Sequence, residues 1–123
     1  MALVVTTTTS PAGVTVTTYD NMDVADTSPD SIEVGRSDTQ TASGPVFGFF
    51  QCKGTTAGGI TVKLQGSNDG STWVDLKDVN GTAIAFLNSV GGSEFRTAAR
   101  YIRPLVSGTA ASEDIDVIIT TRS

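Results

Sequence analysis

The chain contains no histidine. Without imidazole there is no Ser-His-Asp or Cys-His nucleophilic machinery, no histidine metal site, and no side chain that ordinarily titrates near neutral pH. A single cysteine, Cys52, excludes an internal disulfide and a thiolate metal cage. No apolar run approaches the roughly 20 residues with which a helix spans a bilayer. The opening residues, MALVVTTTTS, carry no basic flank and too short an apolar stretch for a secretory signal. These absences predict a soluble protein made in the cytoplasm, with no membrane partner. Charge is also sparse, at 17% of 123 residues with a net of −5. The only cations are Lys53, Lys63, Lys77, Arg36, Arg96, Arg100, Arg103 and Arg122, and they are scattered. A nucleic-acid binder must neutralise phosphates with Lys and Arg, so no nucleic-acid partner is expected.

The 13 acidic residues leave a catalytic carboxylate pair formally open. None stands in a context that singles it out, and most fall in turn-rich stretches. The chain therefore reads as a non-enzyme with no cofactor. Calcium has two weak claims, because loop carboxylates are its usual ligands. Asp20, Asp23 and Asp26 recur every three residues, and Asn68-Asp69-Gly70 matches a fragment of a calcium loop. The first lacks alternate-residue spacing and the second lacks a distal bidentate acid. A solvated acidic loop and a hairpin turn account for them better, and no metal site is expected.

Against these absences stand an apolar share of 38%, 13 glycines and an abundance of threonine. Threonine is β-branched and suits a pleated, half-exposed surface. Residues 1–45 and 46–123 differ in character. In the first part, Ala2 to Thr9 is apolar and then Thr-rich, Val14 to Tyr19 alternates as a strand does, and Ser31 to Val34 forms a short strand within an acidic, turn-rich stretch over 20–44. The second part is more regular. Val46 to Lys53 is apolar on both faces, and Ile60, Val62 and Leu64 alternate with Thr61, Lys63 and Gln65. Ser67-Asn68-Asp69-Gly70-Ser71 has the chemistry of a reversal, so Thr72 to Lys77 is expected to return as the hairpin partner. A turn at Asn80-Gly81 leads to Thr82–Leu87, Gly91-Gly92 punctuates again, and strands follow over Arg100–Ser107 and Ile115–Thr121. Eight or nine short strands and no helix predict an all-β fold, and favour an antiparallel β-sandwich or jelly roll over the closed barrel that Gly-rich turns at this spacing would also suit. Residues 1–12 read as an amino-terminal arm or edge strand, and 13–123 as the sandwich domain.

Three features bear on binding. Phe47 and Phe49 point one way along their strand while Val46, Phe50 and Cys52 point the other, and Tyr101 and Leu105 likewise oppose Ile102 and Val106. One face of a sandwich sheet normally meets water. Two adjacent strands apolar on both sides therefore predict an oligomer contact or burial beneath the amino-terminal segment. That segment, with Leu3, Val4 and Val5, is either an ordinary edge strand or an arm that adds a strand to a neighbour. Leu3, Val4, Val5, Phe47, Phe49, Tyr101 and Leu105 are thus the candidate interface residues. Trp73, the only tryptophan, is a sugar-stacking platform if exposed and a core residue if buried.

The hairpin ITVKLQGSNDGSTWVDLK (60–77) and the later TAARYIRPLVSG (97–108) together carry a resemblance. A strand, S-N-D-G-x-x-W, strand hairpin paired with an A-R-Y-I-R strand resembles the small jelly-roll proteins of tailed bacteriophages. These include the capsid cement (decoration) proteins of podovirus heads. The same motifs are also similar to discoidin-like β-sandwiches, which bind sugars or lipid head groups. Discoidin-like domains are usually secreted, longer, and carry a cysteine pair that this chain lacks. The resemblance covers the last two-thirds of the chain. It implies a virion structural protein made in the host cytoplasm, homo-oligomeric as a dimer or trimer. Such a protein binds across subunits of the major capsid protein on the capsid surface to stabilise the head. The alternatives are a carbohydrate-binding module, a tail-fibre-associated sandwich domain, and a tail-tube or head-completion component.

Overall fold

The computed structural model describes residues 3–9, 14–22, 25–34, 46–55, 60–78, 80–87, 91–108 and 114–122. Among these residues there are ten strands and no helix: β1 (Val4–Thr9), β2 (Val14–Met22), β3 (Ile32–Glu33), β4 (Val46–Thr55), β5 (Ile60–Ser67), β6 (Val74–Asp75), β7 (Ala85–Leu87), β8 (Gly91–Thr97), β9 (Tyr101–Gly108) and β10 (Asp114–Arg122). They form two antiparallel sheets. The first runs β1-β2-β10-β4-β8, and the second runs β3-β9-β5-β6 with β7 also paired to β5. The all-β sandwich expected from the alternation is the fold observed.

Alternation explains how the layers close. Phe50, Cys52, Phe95, Ile115, Val117 and Ile119 project inward from the first sheet, and Ile60, Val62, Leu64, Ile102 and Val106 from the second, into one buried cluster. Phe50 and Phe86 stack across the gap, with ring centroids 6.0 Å apart. Burying a large apolar side chain is worth about 1.5–3 kcal/mol, so the cluster supplies most of the drive for association of the sheets.

Pairing is nested. β2 pairs β10, β3 pairs β9, β4 pairs β8, and β5 pairs β6 and β7. The contacts β10·β4 and β9·β5 then join this long rolled hairpin into its two sheets. Pro104 fits because of the ladder's phase. The Leu64 N–H reaches the Ile84 carbonyl at 3.2 Å, and the Leu64 carbonyl accepts from the Leu76 N–H at 2.9 Å. Leu64 therefore turns its polar groups away from its cross-strand neighbour Pro104. The missing N–H of Pro104 would point to the other edge of β9, where β3 has already ended.

Three local expectations are corrected. Gly91-Gly92 does not interrupt the chain but opens β8, which alternation left unassigned. A Cβ at Gly91 would lie 2.6 Å from Phe86 Cδ1, and one at Gly92 would lie 2.9 Å from Phe49 Cζ, so these glycines serve close packing. β2 continues past Tyr19 because a bulge lies between its pairings with Val117 and Ile115. Asn21 sits there at φ 66°, and its N–H donates to Asp116 Oδ1 at 3.2 Å. The extra residue lets Tyr19 and Met22, three apart, both be fully buried. Finally, the return strand after the 67–71 turn pairs as β6 only over Val74–Asp75.

Candidate functional site

Period-2 alternation and the register of the first sheet define its outer face. β4 contributes Phe47, Phe49, Gln51 and Lys53. Their partners on β10 are Arg122, Thr120, Ile118 and Asp116, and on β8 Phe47 faces Arg96 and Phe49 faces Glu94. Beyond β10, β2 adds Val14, Val16 and Thr18, and β1 adds Val4, Thr6 and Thr8. Phe47 is 56% exposed, Phe49 43% and Val4 52%. The Arg96 guanidinium lies 5.4 Å from the Phe47 ring centroid, a contact at one end of the strand. The middle of the face is thus β-branched and aromatic, and its charges sit mainly at the two ends of the strands.

The second sheet's outer face is built differently. Arg103 Nε donates to Gln65 Oε1 at 3.0 Å, Gln65 Nε2 donates to Asp75 Oδ1 at 3.0 Å, and Lys63 Nζ lies 3.5 Å from the same carboxylate oxygen. The Arg103 guanidinium stacks 4.3 Å from the Trp73 ring centroid, and partial burial pulls its pKa down. Arg100 pairs with Glu33 at 3.0 Å and lies over the Tyr101 ring. Polar groups on this face largely satisfy one another. The contrast marks the first sheet as the surface left for a partner.

The candidate residues separate accordingly. Val4, Phe47 and Phe49 share the outer face of the first sheet. Leu3 and Val5 turn inward and pack against the core. Tyr101 and Leu105 lie on β9 in the second sheet, so the two doubly apolar strands are not adjacent. The described part of the amino-terminal segment covers neither pair. Val4–Thr9 instead pairs with β2 of its own chain as an edge strand, while residues 1–2 and 10–12 of the proposed arm lie outside the described residues. Alternation alone did not select Val14, Val16, Ile118 or Arg122. Period 2 gives each strand two faces but does not say which strands are neighbours.

Trp73 is neither fully exposed nor buried. It lines a polar cleft of about 460 Å³ with Arg103, Asp30, Ser31 and Ser71. The segment supplying Asp30 is held by the Tyr19 hydroxyl, which donates to the Asp30 carbonyl at 2.6 Å. Burial, then the Asp30 charge, raises the pKa of Tyr19 far above the ordinary phenol value. The calcium-like Asn68-Asp69-Gly70 is a turn. Asp69 accepts the N–H groups of Thr72 at 2.7 Å and Ser71 at 2.8 Å and the Ser67 hydroxyl at 2.9 Å, which hold its carboxyl well below the usual range. Gly70 has φ 74° there. Among the described residues no group of three or more His, Cys, Asp or Glu is placed to hold a metal ion, and Asp23 lies outside them. No helix among them is long and apolar enough to cross a membrane.

No protein-family model matches the chain, and no curated protein matches it.

Proposed function

We propose that the chain is a virion structural protein, a capsid cement protein that acts by association and not by catalysis. The observation that carries this reading is the outer face of the first sheet, with Phe47 and Phe49 exposed amid valine, isoleucine and threonine. Contiguous exposed apolar surface of this kind marks a protein contact. Two further points support it. The 60–77 hairpin and the 97–108 strand resemble cement proteins, and the nested pairing of β2–β10, β3–β9, β4–β8 and β5–β6/β7 is the kind of pairing that a jelly roll would require. The mechanism is additive. Each copy, itself part of a homo-oligomer, bridges neighbouring major capsid subunits on the capsid surface. Repetition over the lattice then makes modest contacts strong through avidity. Purified protein mixed with undecorated heads of the phage that encodes it should co-sediment with them and raise their thermal stability. Protein left wholly in the supernatant would overturn the reading.

The cleft at Trp73 favours one second reading, a saccharide-binding module of the tail-fibre type. An indole beside Arg103, Asp30 and two serines offers a stacking surface with hydrogen-bonding groups around it. Arg103 already lies against the ring, so a sugar would need the remaining ring surface. Trp73 fluorescence that shifts with saccharides supports this reading, and an unresponsive signal removes it.

A further inference from the structure

We propose that the outer face of the first sheet is an isologous interface, seated on the same face of a second copy of this chain. The inference rests on reading that face as an association surface; it does not depend on the partner being a capsid.

The face is self-complementary. Its centre, formed by Val16, Thr18, Ile118, Thr120 and Phe49, has no charge. At one end of the strands Asp20 and Asp116 outnumber Lys53. At the other end stand Arg96 and Arg122, while Glu94, on the edge strand β8, shares the register row of Phe49. Among the described residues Asp20, Asp116, Arg96 and Arg122 form no ion pair, whereas the second sheet's charges are paired in place.

Charge decides both the partner and the axis. A partner of uniform charge would meet like charge at one end of this face. A second copy meets opposite charge at both ends, provided the two-fold axis lies in the interface and across the strands. That rotation sets the Asp20–Asp116 end of one copy over the Arg96–Arg122 end of the other. A two-fold axis along the strands would instead stack arginines on arginines. Complementary ends fix register, and the apolar centre with Phe49 supplies the desolvated core of the contact. The pair carries every remaining surface twice, related by symmetry, as bridging two neighbouring subunits requires.

Sedimentation equilibrium on the full chain tests this. The wild-type protein should have twice the 12.7 kDa mass of the chain. Phe49→Lys should run as a single chain while keeping the wild-type circular dichroism spectrum. Val74→Lys, at an exposed position of the second sheet, should leave the mass doubled. Arg122→Asp sets acid against acid and should weaken pairing about tenfold, and adding Asp20→Arg should recover most of that loss. A single-chain mass at submillimolar concentration, a trimer, or a dimer indifferent to Phe49→Lys would overturn the proposal. Failure of the second charge change to restore pairing would overturn the stated axis. A single chain that still co-sediments with heads removes the pairing and leaves the cement reading, while a dimer that ignores heads does the reverse.

Discussion

At the scale of single residues, the chain spends polar side chains on its own backbone. Among the described residues Asp69 has no partner of opposite charge, yet its carboxyl is held down by the N–H groups of Thr72 and Ser71 and the Ser67 hydroxyl. Because these donors favour the charged form, the folded-state pKa lies below the unfolded value, near 3.9 for aspartate. The stabilisation is therefore complete above that value and is lost as pH falls through the folded one. Asp69→Asn keeps the shape but removes the charge. Its melting midpoint should fall below wild type at pH 7, and the gap should close as both are acidified. A gap that is constant with pH would mean that the charge plays no part. Gly48 is held by space. A Cβ there would meet Phe95 Cζ and lie 2.5 Å from the Thr120 carbonyl oxygen, which is fixed in the β4–β10 ladder. Gly48→Ala should cost about 2–3 kcal/mol, read as a lower urea midpoint at unchanged slope.

At the scale of elements, the bulge in β2 determines what the strand can bury. A regular strand carrying Tyr19 inward would carry Asn21 inward next and expose Met22. The extra residue, with Asn21 in the left-handed region, turns Met22 in instead. Asn tolerates that region and a β-branched residue does not. Asn21→Val should cost about 1–2 kcal/mol and Asn21→Gly clearly less, by chemical denaturation; equal costs would mean that backbone conformation is not what the position demands. The bulge also shows where legibility in the sequence ends. β5 announces itself through clean alternation of apolar and polar residues, and β9 and β10 through runs rich in β-branched and apolar residues. β8, GGSEFRT, does not, because its glycines fit around Phe86 and Phe49, which arrive from other strands. The candidate site was legible to the same depth. Phe47 and Phe49 opposite Phe50 and Cys52 already signal a surplus apolar face. Whether Tyr101 and Leu105 share that face depends on which sheet holds β9, and that is set by long-range pairing.

At the scale of the whole molecule, nesting makes the strands unequal. β10 lies between β2 and β4 in the first sheet and sends Ile115, Val117 and Ile119 into the core, each at most 1% exposed. β1 lies at the edge of the same sheet, pairs with β2 alone, and is largely exposed along Thr6 to Thr9. β1 is also the shorter and the richer in threonine, six residues with four threonines against nine with two, so composition and position in the nest agree. β2 and β10 come from opposite ends of the chain, so the first sheet is completed only when the closing strand arrives. Contacts so distant in sequence must meet the loop-closure cost before burial compensates it, which favours slow, all-or-none folding. Removing residues 114–123 should therefore leave no cooperative unfolding transition. Removing residues 1–9 should leave a folded domain with a lower midpoint, since among the described residues of that segment Leu3 and Val5 alone are withdrawn from contact with the core. Calorimetry of the two truncated chains separates the cases. A cooperative transition without β10 would show that the second sheet and the remaining hairpins are stable without it, and the nested pairing would then be a result of folding and not its requirement.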